Sequence, residues 1–221
     1  MFENNKKDIL SREIELSLLS LISNKLRIGI VGAGKAGYIK ARHFLKQGCY
    51  VEVLSKEENS ELMELKGYNL KTIIKEYDRS FIEDKHILII AINDEEVRDI
   101  IKRDCKEMYK IYIDSSSFMD GMGAIPVQRD LDNIVIGINT RGGNPKGSMF
   151  LGEKAEVELK KYDNFIGFTT IIRNKVKDIP SIKKSVIDFI FKEDFLFFFN
   201  KGKGDTVLRM FFDLEVLNNE E

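Results

Sequence analysis

The sequence predicts an α/β protein: a parallel sheet flanked by helices, followed by a smaller, mainly helical region. Three observations carry this. Short apolar runs alternate with amphipathic stretches at βαβ spacing between residues 27 and 113. A G-x-G-x-x-G sequence follows the first run directly. From about Ser148 the apolar spacing becomes helical and stays so.

The elements follow in order. Residues 8–25 predict an amphipathic helix, since Ile9, Leu10, Ile14, Leu18, Leu19 and Ile22 recur on one face. Residues 27–31 (RIGIV) read as a strand, and a helix runs from the glycine loop to Lys46, where Gly48 closes it. A second strand is expected at 50–54, a short helix at 60–66 and a third strand at 71–74. The strongest strand signal, HILIIAI, lies in 85–92; a helix at 95–106 and a strand at 110–113 follow. Beyond Asp114 the character changes. Residues 115–123 form a Ser/Gly-rich loop, 125–127 and 134–138 read as two more strands, and Asn144 followed by Pro145 marks a turn. The FLFFF run at 195–199 reads as helix core or a dimer contact.

Composition excludes several classes. Lys plus Arg is 35 and Asp plus Glu is 36, so the basic excess of a nucleic-acid binder is missing. Two cysteines, Cys49 and Cys105, and two histidines, His43 and His86, match no zinc spacing, so no metal site is expected. The most apolar stretch, 186–199, is interrupted by Asp188, Lys192, Glu193 and Asp194 and is too short to span a bilayer. The polar start, MFENNKKD, carries no leader pattern, and the expected location is cytoplasmic, with no membrane contact.

The glycine loop points to a dinucleotide. It follows a strand and opens a helix, the context the motif requires in a Rossmann-type unit. Gly32 permits the tight turn, Gly34 lets the backbone approach a pyrophosphate, and Gly37 lets helix and strand pack closely. The phosphates then sit at a helix N-terminus. The acidic residue expected about 20 residues on is missing; Ser55, Lys56 and Glu57 stand there instead. Ser55 can bond the adenine ribose, Lys56 can accept a 2′-phosphate, and Glu57 favours NAD. NAD is the preferred cofactor, with NADP left open.

Three segments resemble the siroheme synthase N-terminal family, the precorrin-2 dehydrogenases and sirohydrochlorin ferrochelatases. They are IGIVGAGKAGYIKARHFLKQGCYVEVLS (28–55), ILIIAINDEEV (87–97), similar to the family's "AATDD" strand end, and AIPVQRDLDNIVIGINTRGGNP (124–145), similar to its "P…IAIST-G-SP". The extra segment before residue 26 departs from the family's short lead. The resemblance implies a Rossmann domain at 26–114, a small dimerisation region at 115–147 and a helical C-terminal domain at 148–221, after an N-terminal helix at 1–25. It implies a homodimer that oxidises precorrin-2 with NAD to sirohydrochlorin, with ferrous-iron insertion in some members. By the same resemblance Lys35, Ala36, Lys56 and Glu57 touch the dinucleotide, Asn93 and Asp94 edge its nicotinamide half, and Thr140 matches the Ser/Thr of the "ST-G" turn.

Oxidation of a reduced macrocycle needs a base, and the family uses an aspartate after the strand that follows the "AATDD" helix. A gapless count back from Pro126 places Ser116 there; a two-residue insertion places Asp114 there, and Asp120 is a third candidate. The tetrapyrrole carries many carboxylates, for which Arg141, Lys146 and Lys154 offer cations. Two rivals stand beside this reading: another small NAD(P)-dependent reductase, such as an imine reductase, and a non-catalytic NAD-sensing module.

Overall fold

The computed structural model describes residues 15–65 and 69–212. The chain divides into two compact units, Met1–Ile125 with Arg141–Gly143, and Pro126–Thr140 with Asn144–Glu221.

The first unit is built on five parallel strands in the order β3-β2-β1-β4-β5: β1 Arg27–Val31, β2 Tyr50–Ser55, β3 Leu70–Ile74, β4 Ile87–Ile90 and β5 Ile111–Asp114. Helices α1 Lys35–Lys46, α2 Ser60–Met63 and α3 Glu95–Glu107 make the connections. Strands β1 and β4 lie mid-sheet and read as unbroken apolar runs because both their faces are covered. Ile28, Ile30, Leu88, Ile89 and Ile90 are fully buried. One face packs with Ala41, Phe44 and Leu45 of α1, and the other with Ile101 and Cys105 of α3. Register pairs Val31 with both Leu54 and Ile90, so β1, β2 and β4 end level. Strand order reverses between β1 and β4, which opens a crevice at their carboxyl ends.

The second unit pairs β6 Val127–Asp130 with β7 Val135–Ile138 in an antiparallel ribbon. Helix α4 (Pro145–Leu159) lies on that ribbon, and Gly152 admits Val127 closely: a Cβ there would stand 3.3 Å from Val127 Cγ1. The buried Asp163 carboxylate accepts from the Asp132 and Asn133 amides at 3.2 and 2.9 Å, tying the ribbon's turn to α5 (Asp163–Lys175). Helices α5, α6 Pro180–Ile190, α7 Glu193–Asn200 and α8 Gly204–Phe211 enclose Phe165, Ile172, Val186, Ile190, Phe195 and Leu208.

Five expectations are corrected. The helix at 8–25 falls partly at 1–14, outside the described residues. Its described remainder is irregular up to a 3₁₀ turn at Ser23–Lys25. Leu18, Leu19 and Ile22 are exposed there, and a short helix with no surface to bury its stripe has little to hold it. Helix α2 ends at Met63 rather than Lys66. The sixth strand starts at Val127, where pairing with Ile138 begins. Asn144 and Pro145 are not a turn but a helix start: Asn144 caps α4 by accepting from the Gly147 amide at 2.9 Å, and Pro145 takes the first helical position. The division between units lies after Ile125, because Met122 donates to the Tyr112 carbonyl at 2.9 Å and Ile125 packs on the first unit's core.

Candidate functional site

A cleft of about 570 Å³ opens above the carboxyl ends of β1, β2 and β4. Gly32, Ala33 and Gly34 form its floor; Ser55, Lys56, Glu57, Glu58, Asn59, Lys75 and Tyr77 line one side, and Ala91, Ile92, Asn93, Asp94 and Val97 the other. Each glycine of the loop has a distinct reason. Gly32 sits at φ +109°, and a Cβ there would lie 2.3 Å from the Ala91 carbonyl oxygen. A Cβ on Gly37 would lie 1.9 Å from the Gly32 carbonyl oxygen, so α1 packs onto the loop only with glycine there. Gly34 is different: its φ is ordinary and nothing lies within 4 Å of the added atom.

The space beside Gly34 fits a bound pyrophosphate. Gly34 is the N-cap of α1 and brings no side chain to accept from the first-turn amides. A phosphate oxygen serves those donors and gains from the helix dipole. The cleft's size suits a small-molecule ligand.

Of the residues expected at the dinucleotide, the cleft brings together Gly32, Gly34, Ser55, Lys56, Glu57, Asn93 and Asp94. Lys35 and Ala36 lie in the exposed first turn of α1 and do not line it, and Gly37 is buried beneath the loop. Asp94 also caps α3, accepting from the Val97 amide at 3.1 Å. Ser55 donates to the Glu57 carbonyl at 2.5 Å, which folds the chain back at the end of β2. Asn59, which the sequence reading passed over, ties one wall to the floor: its Nδ2 donates to the Ala33 carbonyl, and its Oδ1 caps α2 by accepting from the Glu61 amide at 2.7 Å. The available signal was its N-cap position before a short helix. Tyr77 donates to Asp104 at 3.0 Å; burial and that bond hold its phenol protonated.

Asp114 ends β5 with its side chain fully enclosed. It accepts from Arg98 at 2.8 Å, Lys102 at 2.9 Å, and the amides of Ser116 and Ser117 at 2.8 and 3.1 Å. Burial opposes its charge, but these four donors outweigh burial and hold its carboxyl down to about 2. Arg98 and Lys102 are i,i+4 neighbours on α3, a spacing that puts both on one helix face. Ser116 is exposed on the loop that Asp114 fastens, and Asp120 lies on the same loop, 56% exposed and 3.7 Å from Lys102.

Thr140 is occupied locally: its Oγ1 accepts from the Asn144 amide at 2.7 Å, closing the turn that contains Arg141. Arg141 and Lys146 are exposed, and Lys154 Nζ lies 5.6 Å from the Phe150 ring centre. Both cysteines are buried, and burial pushes the Cys105 thiol up to about 12, which leaves it unreactive. Among the described residues no group of three His, Cys, Asp or Glu is arranged to hold a metal ion, and no helix is long and apolar enough to cross a membrane.

Comparison with known proteins bears on both units. A family model described as "Putative NAD(P)-binding" matches residues 19–117. A Methanocaldococcus jannaschii protein named "Putative precorrin-2 dehydrogenase" is 28% identical over 181 residues, covering 76% of this chain and 86% of that one. A siroheme synthase of a Psychrobacter species is 29% identical over 158 residues, 69% of this chain but 32% of its own length. The solved structure of SirC, a precorrin-2 dehydrogenase, superimposes with a TM-score of 0.63 at 21% identity, over 80% of this chain and 90% of that one. The likeness to SirC establishes the fold.

Proposed function

We propose that this chain, which belongs to the siroheme synthase N-terminal family, oxidises precorrin-2 to sirohydrochlorin with NAD. The observation that carries the reading is the open cleft over the glycine loop, with unserved helix-end donors at its floor, in a chain whose relatives bear that activity by name.

The residues divide the work. The Gly32–Gly37 loop and the first turn of α1 hold the pyrophosphate; Ser55 and its neighbours receive the adenosine, and Asn93 and Asp94 border the nicotinamide half. When bound, the nicotinamide supplies the hydride acceptor. The hydride step rests on positioning, and the cleft supplies it. The macrocycle also loses a proton. Asp114 is a poor acceptor because four donors already fill its oxygens, and we assign it to positioning the loop that follows β5. Asp120 is the carboxylate on that loop with room for a proton; Ser116 has a hydroxyl, a weak base unless activated. Iron insertion needs a strong proton acceptor twice over, so oxidation is expected to exceed ferrochelatase activity. Thr140 orders the turn that carries Arg141, and Arg141 and Lys146 are proposed to meet the substrate's carboxylates.

The decisive assay mixes the protein with precorrin-2 and NAD and follows sirohydrochlorin absorbance. Appearance of the product, dependent on NAD, supports the reading; none in the presence of demonstrated NAD binding sinks it and favours the sensing module.

We further propose a cytoplasmic homodimer assembled through the second unit. Met149, Phe150, Leu151 and Val157 of α4, and Phe197, Phe198, Met210 and Phe211, are exposed apolar side chains that a partner copy would cover. Light scattering at micromolar concentration is expected to give twice the chain mass, and Phe150→Glu with Val157→Glu to give a monomer.

A further inference from the structure

The adenosine corner of the cleft lacks the carboxylate that ordinarily marks a site for the unphosphorylated dinucleotide. Ser55 ends β2 in its place, and Lys56 follows. On that basis alone the corner suits a 2′-phosphate. The ion pairs say otherwise. Lys56 Nζ lies 3.2 Å from Glu76 Oε1, which stands just beyond β3, the strand next to β2. Lys75, the other lysine lining the cleft, is paired with Asp78. Glu57 and Glu58 line the same corner and have no cation within ion-pair distance among the described residues. The corner therefore presents two neutralised lysines and two uncompensated carboxylates.

We propose that Glu76 is the residue that selects NAD over NADP, by engaging Lys56 before a 2′-phosphate can. This inference rests on the dinucleotide reading of the cleft. The selection works by charge: a 2′-phosphate adds about two negative charges to a corner already acidic, and it must displace Glu76 to gain the Lys56 cation. NAD brings only hydroxyls, for which Ser55 retains accepting lone pairs. Because both partners are exposed, the effect is moderate and weakens with salt.

The test is calorimetric titration of the wild type, Glu76→Gln, Lys56→Ala and the double variant with NAD and with NADP, at low and at physiological salt. The wild type is expected to bind NAD more tightly. Glu76→Gln should tighten NADP about fivefold at low salt and leave NAD within twofold, Glu76→Lys should tighten NADP further, and adding Lys56→Ala should abolish the gain. An unchanged NADP to NAD ratio in Glu76→Gln, or a gain that survives Lys56→Ala, overturns the proposal while leaving the dinucleotide site intact. Binding of neither dinucleotide by the wild type overturns the cleft's assignment itself.

Discussion

Two positions along the carboxyl edge of one sheet treat polar groups in opposite ways. Above β1 the first-turn amides of α1 have no side-chain acceptor, and Gly34 faces open space. At the end of β5, two strands away, the Asp114 carboxylate is enclosed with four donors. Exposed helix-end amides without a side-chain acceptor stay free to serve a ligand, whereas a buried carboxylate satisfied in full acts as a strut. By residue type alone the ranking is reversed: an aspartate after a strand looks like chemistry, and a glycine looks like a turn.

The strongest way to break this comparison is to empty the strut. Asp114→Ala leaves Arg98 and Lys102, both mostly buried, without their anion, and is expected to cost about 3–5 kcal/mol by urea denaturation. The wild type should show the same interaction in acid. Its folded carboxyl is held below the unfolded value, so its contribution is complete above about pH 4 and disappears as pH falls through about 2. The loss from this group is about 2 kcal/mol. A general base free of this network would instead give a variant of unchanged stability and abolished turnover.

The open end predicts the converse. Gly34→Asp places a carboxylate where the pyrophosphate belongs, in space that accepts a side chain. NAD affinity should fall at least 100-fold by calorimetry, with the melting temperature nearly unchanged; unaltered affinity would remove the Rossmann assignment. The smallest of the three effects sharpens the middle ground. Asp120→Asn should lower turnover about 10- to 100-fold and leave stability within about 0.5 kcal/mol, since its carboxylate is exposed. Wild-type turnover would return the proton to another group.

The two units differ in legibility for a related reason. In the first, every strand from β1 to β5 falls within three residues of its expected bounds; the signal is clearest at β4, where burial on both faces forces an unbroken apolar run, and weakest at the largely exposed edge strand β3. Gly32 and Gly37 were readable because close backbone approach leaves no alternative residue there. In the second unit the helical spacing announced helices, but the ribbon's bounds shifted, since pairing register rather than composition decides where β6 begins. The segment at 15–22 shows the same dependence: its stripe is periodic, but a stripe becomes a helix only where something covers it.

By itself, then, the sequence determined the parallel sheet, the glycine loop, the helical second half and the resemblance over 28–145, all of which rest on local spacing and backbone sterics. Tertiary structure alone decided which polar groups are spent. Residues 16 positions apart bring Arg98 to Asp114, 26 positions separate Asn59 from the Ala33 carbonyl, and Lys56 meets Glu76 across neighbouring strands. The charge of a carboxylate or a lysine is written in the chain, but whether that charge is already answered depends on partners that only folding brings within reach.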